Sequence, residues 1–405
     1  MPSRFEYSMV DRTFETNPYE QSHIFTSELR GRSIKYSSKP GLNRWNHITP
    51  STSLIAEYVD VLPVDRIFIF GCGHGASAVS LAHQAYKGEI LLTDINLIAF
   101  EMSRQTLEMN SIRNATLIEN ITIPLTEPGK FDRVIIDLPK GRHLAQRWLI
   151  QAWDILRLGG YLYISGSNEE GIQSVLKDGE AMWGPYSILG YHKGNRIARF
   201  KKNELPVTLP SWITQPGIQP GSWHGIDISV EGFQLHLCTL PGIFSFDRLD
   251  KGTRILLETI RIPDGSILLD LGCGYGVIGV VAALTGAKRV DMVDTNLLAI
   301  NASQENVKRL DLHNANVIPS DALQYVKDRR YSLILTNPPF HSGKKVDFQM
   351  AQAFIKQSWQ QLEPAGQFAL VANQFIRYDD VMRPLFRQVT QAAHTEGFQV
   401  WVGTK

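Results

Sequence analysis

The stretch ILLDLGCGYG, residues 267–276, joins a short apolar run to a turn with glycine at every second position. A run of this length that stops at Gly272 predicts a buried strand of a parallel sheet. The apolar and mostly small residues from Val277 to Leu284 predict a helix directly after the turn. A strand, a glycine loop and a helix in this order form the repeating unit of a doubly wound α/β sheet.

The same pattern occurs earlier in the chain, which indicates a duplication. Residues 66–75, RIFIFGCGHG, match the quoted stretch at an offset of 201 residues. At an offset of 200, LLTDIN (91–96) matches DMVDTN, and FDRVIIDLP (131–139) matches YSLILTNPP. Three blocks in one order predict duplicated domains, because a solenoid has a far shorter period. Strands alternate with helices in both copies, so we predict the α/β class with two tandem Rossmann-like domains.

The domain organisation follows from length and from the distribution of prolines. A chain of 405 residues is long enough for two domains. Residues 203–225 contain four prolines and are more typical of an extended linker than of a helix. We therefore predict a first domain over 1–202, a linker over 203–235 and a second domain over 236–405.

Composition excludes several classes of protein. With 43% hydrophobic residues the chain is not disordered, and a net charge of +1 argues against coating nucleic acid by charge alone. Three cysteines are too few for a disulfide framework and lack zinc-site spacing, so we expect a reducing compartment and no metal. The N-terminus lacks a signal-type apolar stretch and no run reaches membrane-span length. We expect a cytoplasmic protein.

The glycine loop and nearby acids indicate the cofactor. The glycine spacing is G-x-G-x-G, whereas dinucleotide-binding loops use G-x-G-x-x-G. Asp270 would repel a pyrophosphate but suits the ammonium group of S-adenosylmethionine (SAM). Asp294 ends the next strand, where a carboxylate can bind ribose hydroxyls, and Asp321 is predicted to bind the adenine amino group. The predicted SAM-binding residues are Asp270, Gly272, Gly274, Gly276, Asp294 and Asp321.

The motif Asn337-Pro338-Pro339-Phe340 follows the strand SLILT. Here the chain resembles SAM-dependent methyltransferases that modify planar amino groups through an [NDS]-P-P-[FYW] motif. The resemblance implies that the Asn337 side-chain oxygen and the Pro338 carbonyl accept hydrogen bonds from the target amine. It also implies that Phe340 stacks on a flipped base. Pro338 and Pro339 stiffen the loop, so these four residues are the predicted catalytic residues.

Three further segments, 240–260, 337–343 and 371–375, resemble the ribosomal RNA guanine-N2 methyltransferases, a two-copy family. The resemblance implies that the C-terminal copy binds SAM and methylates a guanine of ribosomal RNA, while the N-terminal copy is a degenerate duplicate. It also places Phe244 and Asp247 in a segment that covers the cofactor. Ordinary packing and capping roles are equally compatible with these two residues.

The first copy lacks groups that catalysis requires. Ile69 stands where the second copy has Asp270, and Asp137-Leu138-Pro139-Lys140 replaces the Asn-Pro-Pro-Phe motif, with Lys140 at the aromatic position. The first copy keeps Gly71, Gly73, Gly75 and Asp94, so SAM binding there stays open. We expect the first copy to stabilise the fold and to present RNA.

Two basic segments are candidates for RNA contact. Residues 30–47 contain five cations and no acid, with Tyr36 and Trp45 between them, a combination that suits single-stranded RNA. A solvated basic loop is the alternative. The second set flanks the proposed active site in sequence and comprises Lys327, Arg329, Arg330, Lys344 and Lys345.

Other functions remain open at this stage. Similar motifs occur in enzymes that methylate adenine N6 or a glutamine amide. A non-catalytic RNA-binding or ribosome-assembly factor is a rival from another class. Transfer to an amine needs neither a metal nor a catalytic base, so His341 is expected to have a structural or RNA-contact role.

Overall fold

The computed structural model describes residues 17–119, 129–203, 209–338, 345–395 and 397–405, without the side chains of 345–348. Each copy consists of a β-hairpin and a helix, followed by a seven-stranded sheet with helices. None of the helices in these ranges combines the length and the apolar character that a membrane span requires.

The first copy begins with a hairpin and continues into a mixed sheet. Its strands are β1 His23–Leu29, β2 Arg32–Ser38, β3 Arg66–Phe70, β4 Glu89–Thr93, β5 Ala115–Leu117, β6 Phe131–Asp137, β7 Leu156–Ser167, β8 Tyr186–His192 and β9 Asn195–Lys201. Its helices are α1 Pro50–Tyr58, α2 Ala76–Ala82, α3 Leu97–Met109, α4 Arg142–Ile155 and α5 Ile172–Trp183. The sheet order is β5-β4-β3-β6-β7-β9-β8, parallel up to β7 and antiparallel beyond it.

The second copy repeats this plan. Its strands are β10 His224–Val230, β11 Phe233–Thr239, β12 Ile267–Leu271, β13 Arg289–Asp294, β14 Ala315–Pro319, β15 Tyr331–Thr336, β16 Leu362–Asn373, β17 Gln388–Thr395 and β18 Phe398–Thr404. Its helices are α6 Lys251–Thr259, α7 Val277–Thr285, α8 Leu297–Arg309, α9 Lys345–Gln361 and α10 Asp379–Met382. The order β14-β13-β12-β15-β16-β18-β17 is that of the first copy, so the predicted fold class is confirmed.

The quoted stretch lies at the centre of the second sheet. Leu268, Leu269 and Leu271 of β12 are buried, and the apolar helix α7 packs against this strand. The chain runs from β12 outward to β13 and β14, then returns to the other side of β12 as β15. This reversal creates a crevice at the carboxyl ends of the strands, where doubly wound sheets bind ligands.

The predicted linker, 203–235, extends further along the chain than the connection that the structure shows between the copies. Residues 203–235 include β10 and the start of β11, which pair as a hairpin and pack on α6 and α8. Alternate residues of β10 are buried, namely Ile226, Ile228 and Val230. The prolines and glycines just before this strand obscured its two-residue alternation. The connection between the copies therefore ends before His224, and the hairpin belongs structurally to the second copy.

The two copies contact each other through equivalent residues. The Leu97 amide donates to the Thr295 carbonyl at 2.8 Å, and the Leu297 amide donates to the Ile95 carbonyl at 2.7 Å. Asn96 and its equivalent in the second copy form an isolated antiparallel bridge. Because these residues follow β4 and β13, the carboxyl edges of the two sheets meet at the interface. One hydrophobic cluster contains buried residues from both copies.

Candidate active site at the carboxyl edge of the second sheet

The glycine loop of the second copy borders open space. Gly272, Gly274 and Gly276 have φ angles of +78°, +56° and +89°, which glycine adopts without strain. A Cβ atom built on Gly272 would meet no described atom within 4 Å, and one on Gly274 would meet only Ile243, at 3.9 Å. The backbone here can therefore approach a ligand closely. Ile243 belongs to the segment predicted to cover the cofactor, where Phe244 is exposed.

Asp294 is fixed at the carboxyl end of β13. Its Oδ2 accepts from the Gly274 amide at 2.9 Å, and its Oδ1 accepts from the Asn296 amide at 2.8 Å. Burial raises the pKa of this carboxyl group, and the two backbone hydrogen bonds oppose the shift. The carboxylate is thereby held beside the glycine loop, in the position predicted for the ribose hydroxyls.

Asp270 lies beneath the loop and is fully buried. One oxygen, Oδ2, accepts from the Gly279 amide at 2.9 Å, while Oδ1 has no hydrogen-bond partner among the described residues. Burial raises the pKa of this group to about 7. A buried acceptor without a donor is uncommon in proteins and fits a site completed by a cationic ligand. Its contact with an ammonium group stays a prediction.

Asp321 lies next to these groups because the Ser320 amide donates to the Asp294 carbonyl at 2.9 Å. Its carboxylate is buried and has two partners from the N-terminal part of the chain. Oδ1 accepts from the Tyr19 hydroxyl at 2.5 Å, and Oδ2 forms an ion pair with Lys39. Neither partner could be predicted from the sequence, because both lie about 300 residues away in the chain.

Asn337 follows β15 and is oriented by helix α6. Its Nδ2 donates to Asp250 Oδ2 at 2.9 Å and to Thr253 Oγ1 at 2.8 Å. Asp250 is the N-cap of α6 and also accepts from the Thr253 amide at 2.9 Å. Since both hydrogens of Nδ2 are used, the Oδ1 atom of Asn337 remains available as an acceptor. Sequence reasoning missed Asp250 and Thr253, although Asp-x-x-Thr before a helix is a recognisable capping pattern.

The structure covers part of the predicted catalytic motif. Pro338 is buried directly after Asn337. Pro339 and Phe340 lie outside the described residues, as do His341 and Lys344, and Lys345 is described only as the first residue of α9. Within the described ranges, no group of three or more His, Cys, Asp or Glu side chains could hold a metal ion.

The equivalent loop in the first copy is obstructed at its first glycine. Gly71 has a φ of +76°, like its counterpart Gly272, but a Cβ built on it would lie 2.7 Å from the Asp137 carbonyl oxygen. The Asp137 side chain accepts from the Ser51 hydroxyl at 2.6 Å, and burial raises its pKa to about 7. Ile69 is fully buried and offers no charge. The first copy has kept the backbone of the site, with open space beside Gly73 but not beside Gly71.

Part of the basic segment 30–47 is structural. Arg30 donates to three carbonyls at the C-terminal end of α1, each at 3.3 Å. Tyr36 is buried against His74, with ring centroids 4.6 Å apart, and Lys39 pairs with Asp321. Tyr36 and Lys39 are therefore unavailable to RNA, whereas the other four cations of the segment are exposed, namely Arg30, Arg32, Lys35 and Arg44. The segment is basic, but the β1–β2 hairpin buries one of its faces. A count of charged residues along the sequence does not show which residues lie on the buried face.

Lys327, Arg329 and Arg330 flank the proposed active site in sequence but not in space. They precede β15, whereas Asn337 follows it, and a six-residue strand separates the two ends by roughly 15–20 Å. Arg329 instead donates to the buried Asp291 carboxylate at 2.7 Å. Adjacency in sequence is lost here because a strand intervenes.

These features define a SAM-dependent methyltransferase. They are a duplicated doubly wound sheet and, at one edge of the second copy, a glycine loop, the acid Asp294 and the turn Asn337-Pro338. The model of the methyltransferase small domain family matches residues 33–182 and 234–402. The chain belongs to this family.

The relatives and one solved structure agree with this assignment. Ribosomal RNA small subunit methyltransferase C of Pseudoalteromonas atlantica is 32% identical over 278 residues, which cover 67% of this chain and 77% of the relative. The Pseudomonas putida protein of the same name is 31% identical over 280 residues, covering 69% and 81%. The T. Thermophilus 16S rRNA N2 G1207 methyltransferase, solved with AdoMet and guanosine, superimposes with a TM-score of 0.79 at 25% identity, covering 96% of this chain and 99% of that chain.

Proposed function

We propose that this protein transfers a methyl group from SAM to the exocyclic N2 amino group of a guanine in ribosomal RNA. The observation that carries the proposal is the orientation of Asn337, whose Oδ1 is left as an acceptor by the contacts with Asp250 and Thr253. The names of the relatives, and the guanosine bound in the T. Thermophilus structure, supply the substrate class.

The residues fit the reaction chemically. SAM, when bound, supplies an electrophilic methyl group. The lone pair of an exocyclic amine is delocalised into the ring, so the amine is a poor nucleophile. Asn337 Oδ1 and the Pro338 carbonyl would accept from its two hydrogens and offset the positive charge that develops on nitrogen. The amine then loses a proton to solvent, so no side chain has to act as a base.

The base must leave its stack to reach this edge of the sheet. Flipping costs a few kcal/mol and is easier for an unpaired base. We propose that Phe340 stacks on the flipped guanine, as the family resemblance implies. The open space beside Gly272 and Gly274, bordered by Asp294, is the proposed SAM site.

We propose a division of labour between the copies. The second domain, 236–405 together with the hairpin from His224, binds SAM and catalyses transfer. The first domain, 1–202, supports the second and presents RNA, because it lacks open space beside Gly71 and has Ile69 in place of the acid. The proposed location is the cytoplasm, where ribosomal RNA is available.

Nucleoside mass spectrometry of ribosomal RNA from a deletion strain tests the function. We expect the loss of one N2-methylguanosine, mapped by primer extension and restored by the wild-type gene but not by Asn337→Ala. Loss of N6-methyladenosine from the RNA would make adenine the substrate instead. Loss of a methylated glutamine from the proteins of the same strain, measured by peptide mass spectrometry, would make a protein amide the substrate. An unchanged set of modifications, together with defective ribosome assembly, would indicate a non-catalytic factor.

A further inference from the structure

Two buried side chains from the N-terminal part of the chain contact a carboxylate of the second copy. Lys39 follows the β1–β2 hairpin, and Tyr19 lies in a short 3-10 turn ahead of it. Tyr19 is 2% exposed and Lys39 is 7% exposed. Both contact Asp321, one at each carboxylate oxygen, and the Lys39 ammonium also lies 4.8 Å from the centre of the Tyr19 ring.

This cluster lies within the proposed cofactor site. The Ser320 amide donates to the Asp294 carbonyl, and the Asp294 side chain holds the glycine loop through Gly274. Burial and the charges of Asp321 and Asp294 raise the pKa of the Tyr19 phenol well above its usual range. The phenol therefore stays protonated and donates its hydrogen to Asp321. The Tyr19 hydroxyl therefore lies near two carboxylates, Asp321 after β14 and Asp294 at the end of β13.

The contacts fix the Asp321 carboxylate in one orientation. A carboxylate this deeply buried needs compensation, which the Lys39 ammonium supplies. Each carboxylate oxygen has two lone pairs, so one hydrogen bond per oxygen leaves acceptor capacity for a ligand. Ala322, the next residue, is buried with a φ of +49°, in the left-handed region that favours glycine.

The arrangement is not a simple consequence of the duplication. The residue 201 positions after Lys39 is Leu240, which is buried and apolar. The loop of the first copy thus carries a cation where its duplicate carries none, and this cation lies against the second copy.

We propose that Lys39 and Tyr19 are positioning residues of the cofactor site, which hold the Asp321 carboxylate for recognition of the adenine amino group of SAM. The cofactor site of the second copy is thereby completed by residues outside that copy. This inference rests on the proposed function in that SAM is taken as the cofactor.

Calorimetry on the full chain tests the proposal with two ligands. The first is S-adenosylhomocysteine, and the second is its analogue with hydrogen in place of the 6-amino group. We expect the wild type to prefer the amino ligand by about tenfold, as a hydrogen bond to a buried charged group predicts. Lys39→Met should bring the two affinities to within about twofold, Tyr19→Phe should give an intermediate ratio, and Lys39→Arg should retain most of the preference.

A matched control separates positioning from stability. Arg133 and Asp65 form an ion pair in the first copy, with side-chain exposures of 9% and 3% against 8% and 3% for Lys39 and Asp321. Arg133→Met leaves a comparably buried carboxylate unpaired at the start of β3, far from the glycine loops. We expect it to lower the unfolding temperature and to keep the wild-type ligand ratio.

The outcomes are distinguishable. If Lys39→Met and Tyr19→Phe weaken both ligands equally, so that the ratio stays at the wild-type value, the positioning role is refuted and the contacts are structural. If Lys39→Met does not fold, the ratio for Tyr19→Phe decides. If the wild type binds neither ligand, SAM is not the cofactor, and the proposed function fails together with this inference.

Discussion

The amide nitrogen of Asn337 lies 2.9 Å from the Asp250 carboxylate and donates to it. A carboxylate only accepts in such a contact, so the amide cannot flip without placing two oxygens together. Because Thr253 takes the second hydrogen, the orientation of the amide is set by the first turn of α6. The segment that caps a helix therefore also aims the proposed catalytic acceptor.

Removing the amide should abolish methyl transfer. We expect Asn337→Ala to lower kcat by about 100-fold or more, because an acceptor aimed at developing charge is worth this much. SAM affinity should change by less than about threefold, since the residue lies beyond the glycine loop. Transfer of radiolabelled methyl to undermethylated ribosomal RNA, together with calorimetry, measures both. Turnover near the wild-type rate would contradict the mechanism.

Weakening the orientation of the amide should have a smaller effect. Thr253→Val keeps the shape of the side chain but removes the Oγ1 acceptor of Asn337. Losing one orienting hydrogen bond should lower kcat by about fivefold while leaving the KM for SAM near its wild-type value. Thr253→Ser keeps the acceptor and is the control. Equal rates for the valine and serine variants would show that the contact does not act on catalysis.

The matched glycines of the two copies should respond differently to alanine. Gly272 and Gly71 have nearly equal φ angles, so each variant loses about 1–2 kcal/mol of stability from backbone strain. Gly272→Ala places its Cβ in open space and should abolish SAM binding at little further cost. Gly71→Ala collides with the Asp137 carbonyl and should lose about 1–3 kcal/mol more, with SAM affinity retained. Urea titration and calorimetry check both; equal effects on SAM would show that both loops bind it.

One SAM should bind per chain. The first copy lacks open space beside Gly71 and has Ile69 at the position of the acid. Calorimetric titration of the wild type should give a stoichiometry of about one, and Gly272→Ala should remove the signal entirely. Two equivalent sites would overturn the assignment of the first copy as a degenerate duplicate.

Stability should depend on pH through Asp137. Its pKa in the folded protein is about 7, against 3.8 ordinarily, so between these values the folded protein holds a proton that the unfolded chain releases. The contribution of Asp137 to the free energy of unfolding should therefore fall as pH rises from about 4 to about 7, by at most about 1.4 kcal/mol per pH unit. Asp270, whose pKa is also about 7, adds a fall of the same sign, which the wild type and an Asp137 variant share. Asp137→Asn has no group at this position that binds or releases a proton in this pH range. Its stability relative to the wild type should rise across the same range in urea titrations, and parallel pH profiles would exclude the effect.

Most of the fold follows from local patterns. The run Ile267–Leu271, the glycine turn and the apolar helix after it are encoded within about twenty residues, and each forms where predicted. Asp294 could also be placed, because a residue that ends a parallel strand must lie at the ligand-binding edge. The β10–β11 hairpin was missed as structure because nearby prolines dominate the composition.

What the sequence by itself determined is whatever depends on neighbours along the chain: the duplicated α/β sheets, the glycine loop and the Asn-Pro turn. What only the tertiary structure decided is which side chains complete the site across long separations. Lys39 was interpreted as an RNA contact, yet it is buried against Asp321 at the interface between the copies. The physical reason is that a buried charge is stabilised by a partner in space, and local periodicity carries no information about a partner from another element.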